Sequence, residues 1–174
     1  MSATRSALCG VVFLLQLAPV SVLAAELGES VPDFSLPSLF DPTESVDLHS
    51  SAGKLLYVDF WSAWCKPCRE KMSRLDQLRS THDSLDVVGI NVDQLVSDAI
   101  RYVAANPVSY PIALDLDGSA AQNFGVETLP VGFLIDQQGI VRAITKSGND
   151  KEIQKLTYLV ESLTASTGSA ETAR

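Results

Sequence analysis

Two stretches of the chain, residues 55–60 (Leu-Leu-Tyr-Val-Asp-Phe) and 87–92 (Val-Val-Gly-Ile-Asn-Val), are apolar at nearly every position. A strand with one wet face alternates apolar and polar residues, so runs like these predict central strands covered on both faces. Between them, Met72, Leu75 and Leu78 recur at helical spacing over residues 67–79. The three segments form a strand-helix-strand crossover, which requires parallel strands. A second helix over 98–106, with Ile100, Val103 and Ala104 on one face and Asn106-Pro107 as its stop, leads back to a strand at 110–114. A short helix at 119–124 ends at Gly125, where the left-handed conformation comes cheaply only to glycine. Strands at 131–135 and 140–145 stand four residues apart and predict an antiparallel hairpin. The last helix starts at Asn149, takes Glu152 as a reciprocal cap, and presents Ile153, Leu156, Leu159, Val160 and Leu163 as one stripe. Upstream, 26–33 reads as extended, 34–39 as an edge strand and Asp41-Pro42 as a turn. The sum is an α/β domain with a mixed central sheet flanked by helices.

The beginning and end of the chain fall outside this pattern. Arg5 precedes an apolar run from Leu8 to Leu17, and small residues follow at Ala24 and Ala25, which reads as a secretory signal peptide over 1–25 with cleavage after 24 or 25. The run is interrupted by Gln16 and Pro19 and is shorter than the roughly 20 apolar residues of a membrane-spanning helix. The expected location is therefore the periplasm, with an inner-membrane anchor facing the periplasm as the alternative. Residues 164–174, rich in Ser, Thr, Ala and Gly, read as a disordered tail, which leaves one domain over 26–163. The chain carries 13 basic and 21 acidic residues, a net charge of −8, and the leader contributes only Arg5. That balance argues against nucleic acid or an anionic membrane surface as a partner.

Of three cysteines, Cys9 leaves with the leader, and Cys65 and Cys68 enter a compartment where disulfides persist. They lie in Trp61-Ser62-Ala63-Trp64-Cys65-Lys66-Pro67-Cys68, between a strand and the start of a helix. A helix N-terminus carries partial positive charge and free N–H donors, so it stabilises a thiolate. A structural staple is the weaker reading, since so short a loop removes little unfolded-state entropy. Zinc is weaker too: one Cys-x-x-Cys supplies two ligands, and His49 and His82 lack the spacing to complete the set. No metal and no cofactor beyond the redox-active disulfide is expected. Cys65 precedes the helix and is expected to be exposed, as the nucleophile; Cys68 lies in the first turn, facing inward, as the resolving sulfur. Pro67 suits the first turn, and Lys66 adds positive charge beside the nucleophile. Asp59 interrupts an otherwise apolar strand, where burial would raise its pKa. It reads either as a general base for the Cys68 proton or as a strand-end Asp with its own hydrogen bonds, and spacing does not decide. Trp61 reads as core. Trp64 is a candidate to shield the sulfurs or touch a client, alongside Lys66, Pro67 and Leu129.

The segment 58–68, Val-Asp-Phe-Trp-Ser-Ala-Trp-Cys-Lys-Pro-Cys, resembles the thioredoxin active-site sequence. Phe124-Gly125-Val126, Leu129-Pro130 and the stretch 133–139 are similar to the superfamily's cis-proline region, and the leader 31–37 with the extra unit around 93–114 resembles the exported TlpA/ResA-like branch. The resemblance covers nearly all of the mature chain. It implies a thioredoxin fold with an inserted helix-strand unit and an N-terminal extension. It further implies a thiol-disulfide oxidoreductase that reduces protein disulfides and is itself fed by a membrane electron-donor protein, with cytochrome c biogenesis as a common client pathway; a monomer is expected. Residue by residue, it makes Cys65 the attacking sulfur, Cys68 the resolving one, Pro130 a cis-proline beside the substrate and Asp59 the buried acid, a position where many members of the branch have Asn. The chain departs from the branch at Lys71, where Glu is common, and at Ser73, where proline is common, with Glu70 one place early. The lysine that pairs with the buried acid in thioredoxin has no expected counterpart, because Gly89 occupies the matching strand position.

Two other functions share these features. A thiol peroxidase has the same fold and leader but wants its cysteine in a Pro-x-x-x-Thr-x-x-Cys setting, which this chain lacks. A non-enzymatic binding or chaperone module would carry the disulfide incidentally.

Overall fold

The computed structural model describes residues 25–51 and 53–171. Residues 1–24 of the expected leader, with residues 52 and 172–174, lie outside that range. In chain order the elements are β1 (Ser35–Pro37), β2 (Ser45–Asp47), a 3-10 turn (Leu48–Ser51), β3 (Leu55–Trp61), α1 (Lys66–Thr81), β4 (Leu85–Asn91), α2 (Val96–Ala105), β5 (Ile112–Leu114), α3 (Ser119–Asn123), β6 (Val131–Ile135), β7 (Val141–Thr145) and α4 (Asp150–Glu171).

Five strands form one sheet in the order β5-β4-β3-β6-β7. The two apolar runs become its centre: β3 pairs in parallel with β4, which pairs in parallel with β5, while β6 and β7 add on antiparallel. Every residue of β3 is buried, as its composition requires. Its alternation sends Leu55, Tyr57 and Trp61 into a core with Cys68, Met72, Leu75 and Leu78 of α1 and Leu156 and Val160 of α4. Leu56, Val58 and Phe60 enter the opposite core, where Phe60, Phe124 and Phe133 make edge and tilted ring contacts at 5.1–6.0 Å. Asp59, two residues from Tyr57 and from Trp61, therefore projects toward α1.

Several elements differ from expectation. Residues 34–39 do not join the main sheet as a long edge strand; β1 instead pairs with β2 as a separate antiparallel ribbon, which ties to β5 through an isolated Ser38–Ala113 bridge. Helix α2 buries Ala99 and Val103, whereas Ile100 is 52 % exposed and Ala104 lies on the outer face. Its first turn begins two residues early, at Val96, and packing against the core selects the side of Ala99 and Val103, with Val96 and Tyr102 partly buried beside them. Asn149 caps α4 through Oδ1, which accepts the Glu152 N–H at 3.0 Å. Glu152 does not reciprocate; its carboxylate accepts the N–H groups of Lys146 and Ser147. Helix α4 also continues through 164–171, where a disordered tail was expected. Extending a helix already nucleated by a packed stripe costs little per residue, and Thr164 Oγ1 donates to the Val160 carbonyl at 2.9 Å.

Candidate active site

Strand β3 delivers the chain to the end of the sheet, and a four-residue loop turns it into α1. Cys65 is the N-cap of that helix: its backbone is extended (φ −82°, ψ 95°), and its Sγ accepts the Cys68 N–H at 3.3 Å. A sulfur in this position stands where the unpaired N–H groups and the positive end of the helix dipole stabilise a thiolate. Cys65 and Cys68 form a disulfide with their Cα atoms 5.3 Å apart. Pro67 lies in the first turn. Cys65 is the more accessible sulfur, but at 4 % exposure, against 0 % for Cys68, it is nearly buried rather than exposed. Its side chain folds back over the first turn to meet Cys68. The residue that does stand in solvent is Trp64, 74 % exposed, and Lys66 and Pro67 are exposed beside it. Trp61 is fully buried and stacks at a tilt on Tyr102 of α2, with centroids 5.6 Å apart. The Leu129–Pro130 peptide is cis, with Pro130 buried and Leu129 half-buried.

A polar clamp holds the loop. The Asp93 carboxylate, just beyond β4, accepts the Ser62 hydroxyl at 2.5 Å, the Ala63 N–H at 2.9 Å and the Asn91 side-chain amide at 2.8 Å. Ser62 Oγ in turn accepts the Trp64 N–H at 3.3 Å, and the Ser62 carbonyl accepts the Cys65 N–H at 3.1 Å. Ser62, Asn91 and Asp93 are all buried. Nothing in their spacing identified them, because Ser62 leaves β3 while Asn91 and Asp93 leave β4, about thirty residues on.

Beneath α1 lies the feature that the sequence reading missed. Asp59 does have a cationic partner: Lys71 Nζ meets its Oδ1 at 2.8 Å, with both side chains at 0 % exposure. Gly89 stands beside Asp59 in the β3–β4 register, as expected, but the lysine arrives from the helix, three residues after Cys68. The signal was present, since 68, 71, 72, 75 and 78 form one continuous helical stripe. A lysine on that stripe had to be buried. Its ammonium also donates to Thr145 Oγ1 at 3.2 Å and sits 5.2 Å from the Tyr57 ring centroid, while the Tyr57 and Thr145 hydroxyls hydrogen-bond each other. Two glycines make room. A Cβ on Gly132 would strike the Tyr57 ring, and one on Gly148 would lie 2.5 Å from Lys71 Cβ.

Burial pushes the Asp59 carboxyl above the ordinary carboxylate range, and the Lys71 charge only partly opposes it. Burial alone would lower the Lys71 pKa, but the Asp59 carboxylate and the Tyr57 phenol outweigh it and hold the ammonium protonated. Asp59 Oδ2 accepts no hydrogen bond from any described residue, which leaves it free to take a proton. Among the described residues, no group of three or more His, Cys, Asp or Glu side chains is placed to hold a metal ion.

A Cys-x-x-Cys disulfide at a helix N-terminus, a cis-proline in an adjoining loop and a central β3 between parallel and antiparallel neighbours define a thioredoxin-like thiol-disulfide oxidoreductase. The chain belongs to the AhpC/TSA family, whose model matches residues 27–144. It is 28 % identical over 129 residues to the thiol-disulfide oxidoreductase ResA of Bacillus thuringiensis, covering 73 % of each chain. It is 30 % identical over 129 residues to the thiol:disulfide interchange protein DsbE of Allochromatium vinosum, covering 74 % of this chain and 71 % of that one. The crystal structure of a DsbE-type interchange protein from Chlorobium tepidum superposes with a TM-score of 0.75 at 29 % identity, covering 80 % of this chain and 99 % of the other.

Proposed function

We propose that this protein is an exported reductant of protein disulfides, working through Cys65 and Cys68. The observation that carries the reading is the position of Cys65 as N-cap of α1, the helix that also buries Cys68 and presses Lys71 against the Asp59 carboxylate. In the reduced protein the Cys65 thiolate attacks one sulfur of a client disulfide. A Cys65–client bond forms, and the other client sulfur leaves as a thiolate that takes a proton from solvent. Asp59 then accepts the Cys68 proton, through a water, and the Cys68 thiolate attacks Cys65 Sγ. The intramolecular disulfide returns and the client leaves reduced by two electrons. Lys71 positions the Asp59 carboxylate and stabilises its charge, and so sets the pH at which it can act as a base. Pro130 and Leu129 border the site on the side where a client strand would lie, with Trp64 as its exposed contact.

The apolar leader supports a periplasmic location, with an anchor in the inner membrane as the alternative; among the described residues no helix is long and apolar enough to cross a membrane. Outside the cytoplasm the resulting disulfide needs a membrane electron-donor protein to reduce it, and a monomer suffices for the chemistry. Apocytochrome c is one candidate client, and the names of the relatives support exchange with protein dithiols and disulfides generally. The test is trapping: Cys68→Ser should accumulate mixed disulfides on Cys65 in the periplasm, and Cys65→Ser should accumulate none. Failure to recover adducts, or thiol-dependent consumption of hydrogen peroxide at a rate exceeding disulfide exchange, would overturn the reading.

A further inference from the structure

Beside the dithiol, α1 and the inserted helix α2 enclose an open groove of about 520 Å³, with Trp64 at one end and Tyr102 along its wall. A second opening of about 270 Å³ continues from it past Lys66 and Glu70. Arg69 lines both. Its backbone N–H bonds the Cys65 carbonyl at 3.3 Å, so the guanidinium rises from the same helix face as the nucleophile, one turn of about 5.4 Å farther along. The guanidinium is held over the Tyr102 ring at 5.7 Å, and it has no carboxylate partner among the described residues. The neighbouring Arg101 is already neutralised by Asp98 at 3.0 Å. Counting Glu70 against Lys66, the groove keeps a surplus positive charge on a chain whose net charge is −8.

A planar guanidinium kept in place by an aromatic ring, with its donors free, is suited to bidentate recognition of a carboxylate. The exposed Trp64 offers an apolar platform in the same groove, next in sequence to Cys65. We propose that this groove receives an acidic, extended segment of the disulfide-bearing client, with Arg69 reading a carboxylate a few residues from the client cysteine. The proposal rests on the exchange reaction above and names its substrate class. Clients would carry Asp or Glu beside the reducible disulfide, and electrostatic attraction at one edge of an otherwise acidic protein would orient them with that disulfide over Cys65.

The experiment uses the full chain in its dithiol form and two synthetic peptides, each closed by one disulfide and identical except that the residues flanking one cysteine are Asp/Glu in the first and Lys in the second. The quantity read is the ratio of their second-order reduction rates, which cancels any change in the dithiol itself. At low salt the wild type should favour the acidic peptide by about fivefold, with the preference shrinking toward 1 at high salt. Arg69→Glu should bring the ratio to 1 or below, and Arg69→Gln to an intermediate value. Lys155→Glu, which makes the same change in net charge on α4 away from the groove, should leave it in place. A wild-type ratio of 1, or an equal drop in Arg69→Glu and Lys155→Glu, overturns the groove proposal while leaving the exchange reaction standing. If neither peptide is reduced by the wild type, the exchange reading fails and the groove proposal fails with it.

Discussion

Separating the members of the Asp59–Lys71 pair gives the sharpest stability prediction, because the two single substitutions should carry opposite pH slopes. Both side chains are at 0 % exposure and 2.8 Å apart, so neither charge has water to fall back on. Removing one partner of a buried pair costs about 3–5 kcal/mol, a large share of the roughly 5–15 kcal/mol that holds a domain folded. In Asp59→Asn the orphaned Lys71 escapes by losing its proton. From an ordinary pKa near 10.4, doing so at pH 7 costs at most about 5 kcal/mol, at 1.36 kcal/mol per unit. Its folded pKa is then depressed, so the penalty shrinks as pH climbs from 7 toward 10. In Lys71→Met the orphaned Asp59 escapes by gaining a proton, which from a pKa near 3.9 costs about 4 kcal/mol at pH 7. Its folded pKa is raised, so this penalty shrinks as pH falls from 7 toward 4. Replacing both with Asn and Met should restore most of the loss, since an apolar or neutral pair needs no desolvated charge. Urea denaturation of the oxidised proteins between pH 4 and 10 measures all three. Single-mutant losses that simply add in the double variant, or parallel pH slopes, would refute the coupling and the burial argument with it. A plain sequence reading, in which Asp59 stands alone, expects Asp59→Asn to stabilise; the pair reverses that sign near neutral pH.

The remaining predictions concern the reaction and its loop. Because burial raises the Asp59 pKa, the wild-type rate of mixed-disulfide resolution should rise with pH through a value above the ordinary carboxylate range; Asp59→Asn should slow the step and remove that inflection in stopped-flow exchange, and an unchanged profile would exclude Asp59 as the base. Lys71→Met should shift the same inflection upward, since the carboxylate loses its stabilising charge. Asp93→Ala should cost about 1–3 kcal/mol, by leaving buried donors on Ser62 and Asn91 without an acceptor. Asp93→Asn should recover part of that stability in urea denaturation, and an Asp93→Ala variant as stable as wild type would show that the clamp carries no load. Trp64→Ala should leave stability within about 0.5 kcal/mol, as expected of an exposed side chain, yet raise KM for protein clients, and an unchanged KM would remove Trp64 from the client surface.

Much of the architecture was legible because it depends on local patterns. The continuous apolar runs of β3 and β4 could only be doubly covered strands, and the hairpin of β6 and β7 follows from a short connection. The disulfide was legible for the same reason: two cysteines three apart at the start of a helix are adjacent whatever the rest of the chain does. Contacts decided by neighbouring elements were not. The face that α2 turns inward depended on what it packs against, and the ribbon of β1 and β2 on which edge was free. The fate of 164–171 depended on how far a packed stripe could carry a helix past its last apolar residue.

The active site divides along the same line. By itself, the sequence determined that Cys65 and Cys68 would stand at the first turn of α1, that Asp59 would be buried in a central strand, and that Pro130 would lie in a loop feeding the next strand. Only the tertiary structure decided what Asp59 faces. A strand residue's charge partner comes from whichever element crosses its face, and here the crossing of α1 over β3, with glycines at 132 and 148 clearing the space, puts the Lys71 ammonium against the carboxylate. Likewise only the folding of β4 beside β3 brings Asp93 under the loop that carries Cys65. Local spacing sets which groups are available, and long-range packing sets which charges must share a dry interior.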